Sequence, residues 1–210
     1  MQVGLSEGNS SVDADLPLVQ RCQKGDLSAF EILVLRYQKP ISRLVYRIVG
    51  QEEVVEDLVQ DIFLKAFYMI KSFQRKARFS TWLYRLAVNT CLDYFKPKRE
   101  FLSWDGMPAD EEQTYLQQIE RRLSLATATP EVNLSRKEMV QKLQEALDCL
   151  TPEDKTVVIL RDLLGHSYQE IAEIMDWPLG TVRTRLFRAR RSLQALMRQY
   201  VETESEQQQR

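Results

Sequence analysis

The chain has 210 residues, 44% hydrophobic and 28% charged, with seven glycines, seven prolines and a formal net charge of −1. That balance supports packed helical cores and excludes collagen-like, disordered and β-sandwich compositions. No apolar run approaches the roughly 20 residues that cross a bilayer, the opening MQVGLSEGNSSVDADLP lacks the basic start and apolar stretch of a secretory signal, and Cys22, Cys91 and Cys149, odd in number and in no CxxC pair, read as reduced thiols of a cytoplasmic protein.

Residues 1–14 are polar and read as a disordered N-terminus. Asp15 is placed to cap a first short helix and Asp26 a second, running to about Val49. A third helix covers about 52–70. On it Val55, Leu58, Val59, Ile62 and Ala66 form a broad buried arc, while Asp57, Gln60, Asp61 and Leu64 fall together on the other side. An apolar Leu64 amid acids and an amide points to a protein contact. Residues 71–78 are basic and non-periodic, a loop. Ser80 or Thr81 then caps a fourth helix that stops near Lys96-Pro97, because the residue before proline leaves helical space.

From 98 to 129 the composition turns to proline, glycine and acids, an acidic flexible linker with at most a short amphipathic piece around 113–123. Thr129-Pro130-Glu131 opens another helix, with proline at the first helical position. Thr151-Pro152-Glu153-Asp154 opens a further one, with Asp154 placed to answer the cap reciprocally, and Ser167-x-x-Glu170 is a capping box. No strand alternation is present. The expected fold is all-α: two small helical domains, 15–97 and 130–203, with a disordered tail at 204–210.

Charge is uneven in a telling way. Residues 71–99 hold eight basic residues and one acid, Asp93; residues 181–200 hold six arginines and no acid. The second block lies in a helix-turn-helix pattern. Its first helix is 168–176, the turn is Trp177-Pro178-Leu179-Gly180, and Thr181 caps the second helix. Val182, Leu186, Ala189, Leu193 and Leu196 make one apolar stripe, and Arg183, Thr184, Phe187, Arg188 and Arg191 lie opposite. Arginine forks match the O6 and N7 acceptors of guanine, and threonine and phenylalanine pack against thymine methyls. Arg185 and Arg190 flank that face within reach of phosphates, which supply affinity and register. In the first block Arg75, Lys76 and Arg78 interleave with Phe73, Phe79, Trp82 and Tyr84. Cations that track a backbone beside aromatics that stack on bases suit single-stranded nucleic acid, while Phe79 and Trp82 also suit a core. The chain thus offers two basic surfaces, held apart on one flexible chain.

Catalytic chemistry is missing. The one histidine, His166, follows Gly165 in a turn, no zinc set stands beside it, and no nucleotide-binding or nucleophile-elbow motif occurs. No cofactor, no metal, no small-molecule substrate and no membrane insertion are expected.

DLVQDIFLKAF, FSTWLYRLAVNTCLDYF and SYQEIAEIMDWPLGTVRTRLFRAR together resemble the region 2 and region 4 motifs of extracytoplasmic-function sigma factors, the small initiation subunits of bacterial RNA polymerase. The resemblance covers about 17–97 and 131–200, in family order. It implies an alternative sigma factor whose partners are core RNA polymerase, through the β′ clamp helices and the β subunit, promoter DNA in duplex and single-stranded form, and an anti-sigma factor. Asp57, Gln60, Asp61 and Leu64 fall where the family grips the clamp helices. The loop 73–79 falls where it captures a base flipped out of the −10 element, with Phe73 and Asn89 lining the pocket beside Arg75, Lys76, Arg78 and Trp82. Helix 181–197 corresponds to the −35 reader, with Arg183, Thr184, Phe187 and Arg188 at base-contacting positions and Arg185 and Arg191 adjacent. The loop departs from the family's glycine-acid pair, carrying Arg75-Lys76-Ala77 instead. The rival reading is a helix-turn-helix regulator with an N-terminal helical sensing domain.

Overall fold

A computed structural model describes residues 13–96 and 136–207, and every regular element in them is helical. The linker 98–129, its short amphipathic piece and the helix start at Thr129 lie outside the described residues. The N-terminal half comprises α1 (Leu16–Gln23), α2 (Leu27–Val49), α3 (Val55–Met69) and α4 (Phe79–Phe95). The C-terminal half comprises α5 (Arg136–Asp148), α6 (Pro152–Val158), which runs into a π-helical turn at Ile159–Leu163, α7 (Tyr168–Met175) and α8 (Leu179–Gln207).

Several helix ends follow the sequence and several do not. The Asp26 carboxylate accepts from the Ala29 backbone N–H at 3.2 Å, and hydrogen bonds from Ser28 and Arg21, together with that one, hold its pKa down at about 2. Ser167 and Glu170 close the capping box from both sides, at 3.1 and 2.8 Å. Asp15 does not cap α1. Its carboxylate is buried and accepts instead from Arg36 and Tyr37 on α2, since a carboxylate out of water needs charge-assisted partners. Asp13, read as part of the disordered terminus, takes up the capping. It accepts from Asp15 N–H at 3.1 Å and, across 66 positions, from Phe79 N–H at 2.8 Å.

That long-range bond corrects the start of α4, which begins at Phe79 rather than after Ser80 or Thr81. Thr151 caps α6 through Asp154 N–H, but Asp154 does not answer; its carboxylate accepts from Arg185 at 3.1 Å. α8 begins before Thr181, because Pro178, which has no N–H to leave unsatisfied, presents its carbonyl to Val182 at 3.2 Å.

The two halves are not held apart. Leu33, Ile41, Ile62 and Leu83 belong to the same contiguous core as Val157, Ile159, Ile171 and Leu186. The physical reason lies in α4, which is apolar nearly all round and must bury both sides. One side packs on α2 and α3, and the other meets α6 and α7. Lys155 of α6 is buried at this seam, paired with Asp148, and faces the buried Cys91 of α4. Burial pushes the Lys155 ammonium down and the Cys91 thiol up to about 12.

Candidate DNA-reading and protein-docking surfaces

The helix-turn-helix is α7 and α8 joined by a turn in which Asp176 adopts the left-handed conformation at φ 57°. Aspartate tolerates that region better than most side chains. Val182, Leu186, Ala189 and Leu196 are buried as the period requires, with Leu193 half-buried. Opposite them Arg183, Thr184, Arg188 and Arg191 are exposed, and Phe187 is 68% exposed. The Thr184 hydroxyl donates to the Gly180 carbonyl at 3.0 Å, so its methyl and an oxygen lone pair remain for a base edge. Arg185 does not join that face. It is ion-paired with Asp154 at 3.1 Å and stacked over Trp177 at 4.8 Å, which secures α8 on α6. Arg190 forks onto Asp162 at 3.0 and 2.5 Å and serves the same purpose against the π-helical turn.

The aromatic block before and into α4 is less open. Phe73 is buried, its ring 5.2 Å from Trp82 and 6.2 Å from Phe79. Phe79 is fully buried and Trp82 half-buried. Arg75, Lys76, Arg78 and Asn89 are exposed. Arg75 stands at φ 57° and donates to the Gln23 side chain at 3.3 Å; the Gln23 amide in turn donates to the Ile70 and Phe73 carbonyls at 3.1 and 3.0 Å. The loop is therefore shaped from α1 behind it, with cations in front and aromatics beneath.

On α3, Asp57, Gln60 and Asp61 are exposed and Leu64 is 47% exposed. Gln60 and Leu64 line an open groove whose far wall is Phe30, Val34 and Gln38 of α2, with Phe67 at one end. The sequence reading missed this wall. Phe30, Val34 and Gln38 recur at every fourth position, which places them on one stripe of α2, but periodicity alone reads that stripe as core.

Comparison with known proteins gives three concordant results. The sigma-70 region 2 family matches residues 33–100, and the sigma-70 region 4 family matches residues 140–193. The chain is 39% identical over 186 residues to the ECF RNA polymerase sigma-E factor of Haemophilus influenzae, covering 86% of this chain and 93% of that one. It is 38% identical over 184 residues to the sigma-E factor of Escherichia coli strain K12, covering 85% and 92%. Among solved structures it is similar to CnrH, seen in complex with the cytosolic domain of CnrY, with a TM-score of 0.61 at 25% identity over 88% of this chain and 97% of that one. The sigma factor RpoE of Bartonella quintana, solved with the anti-sigma factor NepR, shares the fold at a TM-score of 0.56 and 21% identity, over 80% and 96%.

Proposed function

The chain belongs to the extracytoplasmic-function sigma factors of bacterial RNA polymerase, and from that premise we propose how its surfaces divide the work of directing transcription to promoters. α8 enters the major groove of the −35 element, with Arg183, Thr184, Phe187 and Arg188 reading base edges and Arg191 on the backbone. The observation that carries this reading is the exposed Phe187. A large aromatic left open to water beside arginines, on a helix that already buries a complete stripe, suits packing against thymine methyls in the groove.

Arg75, Lys76 and Arg78 track the displaced strand at the −10 element, and Asn89 with Trp82 receives an unpaired base. Phe73 acts from below, setting the pose of Trp82 (its ring lies against the indole). The α2–α3 groove, with Asp57, Gln60, Asp61 and Leu64, grips the β′ clamp helices of core polymerase, and the β subunit is contacted elsewhere. Polymerase supplies the chemistry. The place of action is the cytoplasm; no helix among the described residues is long and apolar enough to cross a membrane. An anti-sigma partner is part of the proposal: the sigma factor RpoE of Bartonella quintana was solved with the anti-sigma factor NepR, and CnrH with the cytosolic domain of CnrY. The rival regulator with a sensing domain is disfavoured by the region 2 match.

Run-off transcription with purified core polymerase tests the whole scheme. Promoter-specific initiation is expected from the native chain. Asp61→Arg is expected to abolish initiation and core binding while sparing duplex binding by α8. DNA binding without initiation by the native chain would leave the regulator reading standing, and unchanged core binding by the variant would remove the clamp assignment.

A further inference from the structure

The loop 73–79 is tied at both ends to α1, a helix that supplies none of the residues assigned to DNA. Gln23, the last residue of α1, stands 47 and 50 positions in sequence from the carbonyls it binds. Its side-chain nitrogen donates to the Ile70 carbonyl at 3.1 Å and to the Phe73 carbonyl at 3.0 Å, and its oxygen accepts from the Arg75 guanidinium at 3.3 Å. Both donors and the acceptor of the amide are thereby spent on one short stretch of chain. The Ile70 carbonyl also accepts from Phe73 N–H at 3.2 Å, so the turn is closed by its own backbone and pinned from behind. At the far end of the loop the Asp13 carboxylate accepts from Phe79 N–H at 2.8 Å. Asp13 is itself fixed to the start of α1: its carboxylate accepts from Asp15 N–H at 3.1 Å and its carbonyl from Leu16 N–H at 3.0 Å.

The two tethers sit at either end of a helix of eight residues, about 12 Å long. α1 is therefore a strut, and its length sets the gap across which residues 74–78 are strung. Two features tie that gap to the shape of the loop. Arg75 holds φ 57°, a conformation that is costly for a residue with a Cβ and persists only where the surroundings enforce it. Gln23 is the neighbour that receives the Arg75 side chain there. Phe73, whose carbonyl Gln23 grips, lays its ring 5.2 Å from the indole of Trp82. A line of contact thus runs from the Gln23 amide through Phe73 to the ring assigned above to an unpaired base.

We propose that Gln23 is a positioning residue for base selection at the −10 element, and that α1, with Asp13 as its second tether, sets the base preference there without touching DNA. The role rests on the −10 assignment proposed above. A flipped base repays its unstacking only if the stacking ring and the edge-reading amide stand at the right separation. A shift of Phe73 moves Trp82 relative to Asn89 and is felt as lost discrimination. The cations in front, Arg75, Lys76 and Arg78, hold phosphates whichever base is offered, so overall affinity is governed separately.

The test uses holoenzyme assembled from the full chain and purified core polymerase. The probes are fork templates with a constant −35 duplex and a single-stranded −10 segment, in which each position carries each of the four bases in turn. Competition binding gives a best-to-worst ratio at every position, and the native chain is expected to reach about tenfold or more at one of them. Gln23→Met keeps the length of the side chain and removes its three hydrogen bonds. It is expected to bring that ratio down to about twofold, with affinity for a −35-only duplex unchanged and the buried Cys22 still protected from a thiol reagent. Asp13→Asn, acting from the other end of the strut, is expected to lower the same ratio by a smaller factor. Arg75→Gly, which makes the left-handed conformation easy, is expected to weaken every template alike and to leave the ratio standing. A full ratio in both Gln23→Met and Asp13→Asn overturns the strut while leaving the −10 assignment intact. A ratio that falls only together with −35 affinity and Cys22 protection marks Gln23 as a fold residue and overturns its positioning role. No base preference at any position in the native holoenzyme overturns the −10 assignment and the strut together.

Discussion

On α8 the residues that hold the fold and the residues we propose to face DNA are different residues; around the 73–82 loop they are the same ones. Val182, Leu186 and Ala189 are buried while Phe187 and Arg188, one position away, stand in water. Phe73, Phe79 and Trp82 instead pack on one another, so the rings that shape the proposed strand-capture surface also seal the N-terminal core. A helix separates core from site by its 3.6-residue period. A loop has no period to do so, and a surface built from it must share its aromatics with the interior.

The sharpest way to break this comparison is to delete one ring from each surface. Phe79→Ala is expected to lower stability by about 3–5 kcal/mol, the range for a buried aromatic, in chemical denaturation, and to take −10 recognition with it. Phe187→Ala is expected to change stability by no more than about 0.5 kcal/mol while reducing −35 affinity. Similar stability losses for the two would erase the distinction.

Next in size is Arg188→Ala, expected to forfeit roughly 1–3 kcal/mol of discrimination at one base pair of the −35 element. Competition binding against single-base variants measures it, and equal weakening on every duplex would demote Arg188 to a phosphate contact. Asp13→Ala sharpens the other side. Removing an acceptor shared by α1 and the first N–H of α4 is expected to cost about 0.5–2 kcal/mol of stability, and to impair −10 opening more than −35 binding.

The smallest effect concerns pH. Burial against Tyr84 lowers the His166 pKa, with Glu170 opposing. The folded state therefore binds a proton less readily than the unfolded one. The associated stability is present above the unfolded pKa, about 6.5, and is lost as pH falls below it toward the depressed folded value. Denaturation midpoints from pH 7.5 to 5 are expected to decline, and His166→Gln is expected to flatten that slope.

The same contrast explains what could be read in advance. The all-helical fold, the capping box at Ser167, the stripe on α8 and the exposed acidic face of α3 follow from local spacing. Arg185 and Asp154 were misjudged because an ion pair between residues 31 positions apart has no local signature. Asp13 escaped for the same reason, its partner lying on α4. The seam did leave a trace, since α4 is too apolar for a helix with one buried side, but nothing in its own sequence names the surface on the other side.

Gly50 shows how closely the halves are fitted. It ends α2 at φ +76°, and a methyl group there would stand 3.3 Å from a carboxylate oxygen of Asp148, the anion that neutralises Lys155. Glycine at this point is thus both a hinge for one helix and a clearance for the neighbouring charge. Melting one half would strip solvent protection from a cation in the other, so the free protein should lose its structure in a single cooperative transition, as an undivided body and not as two beads on a string.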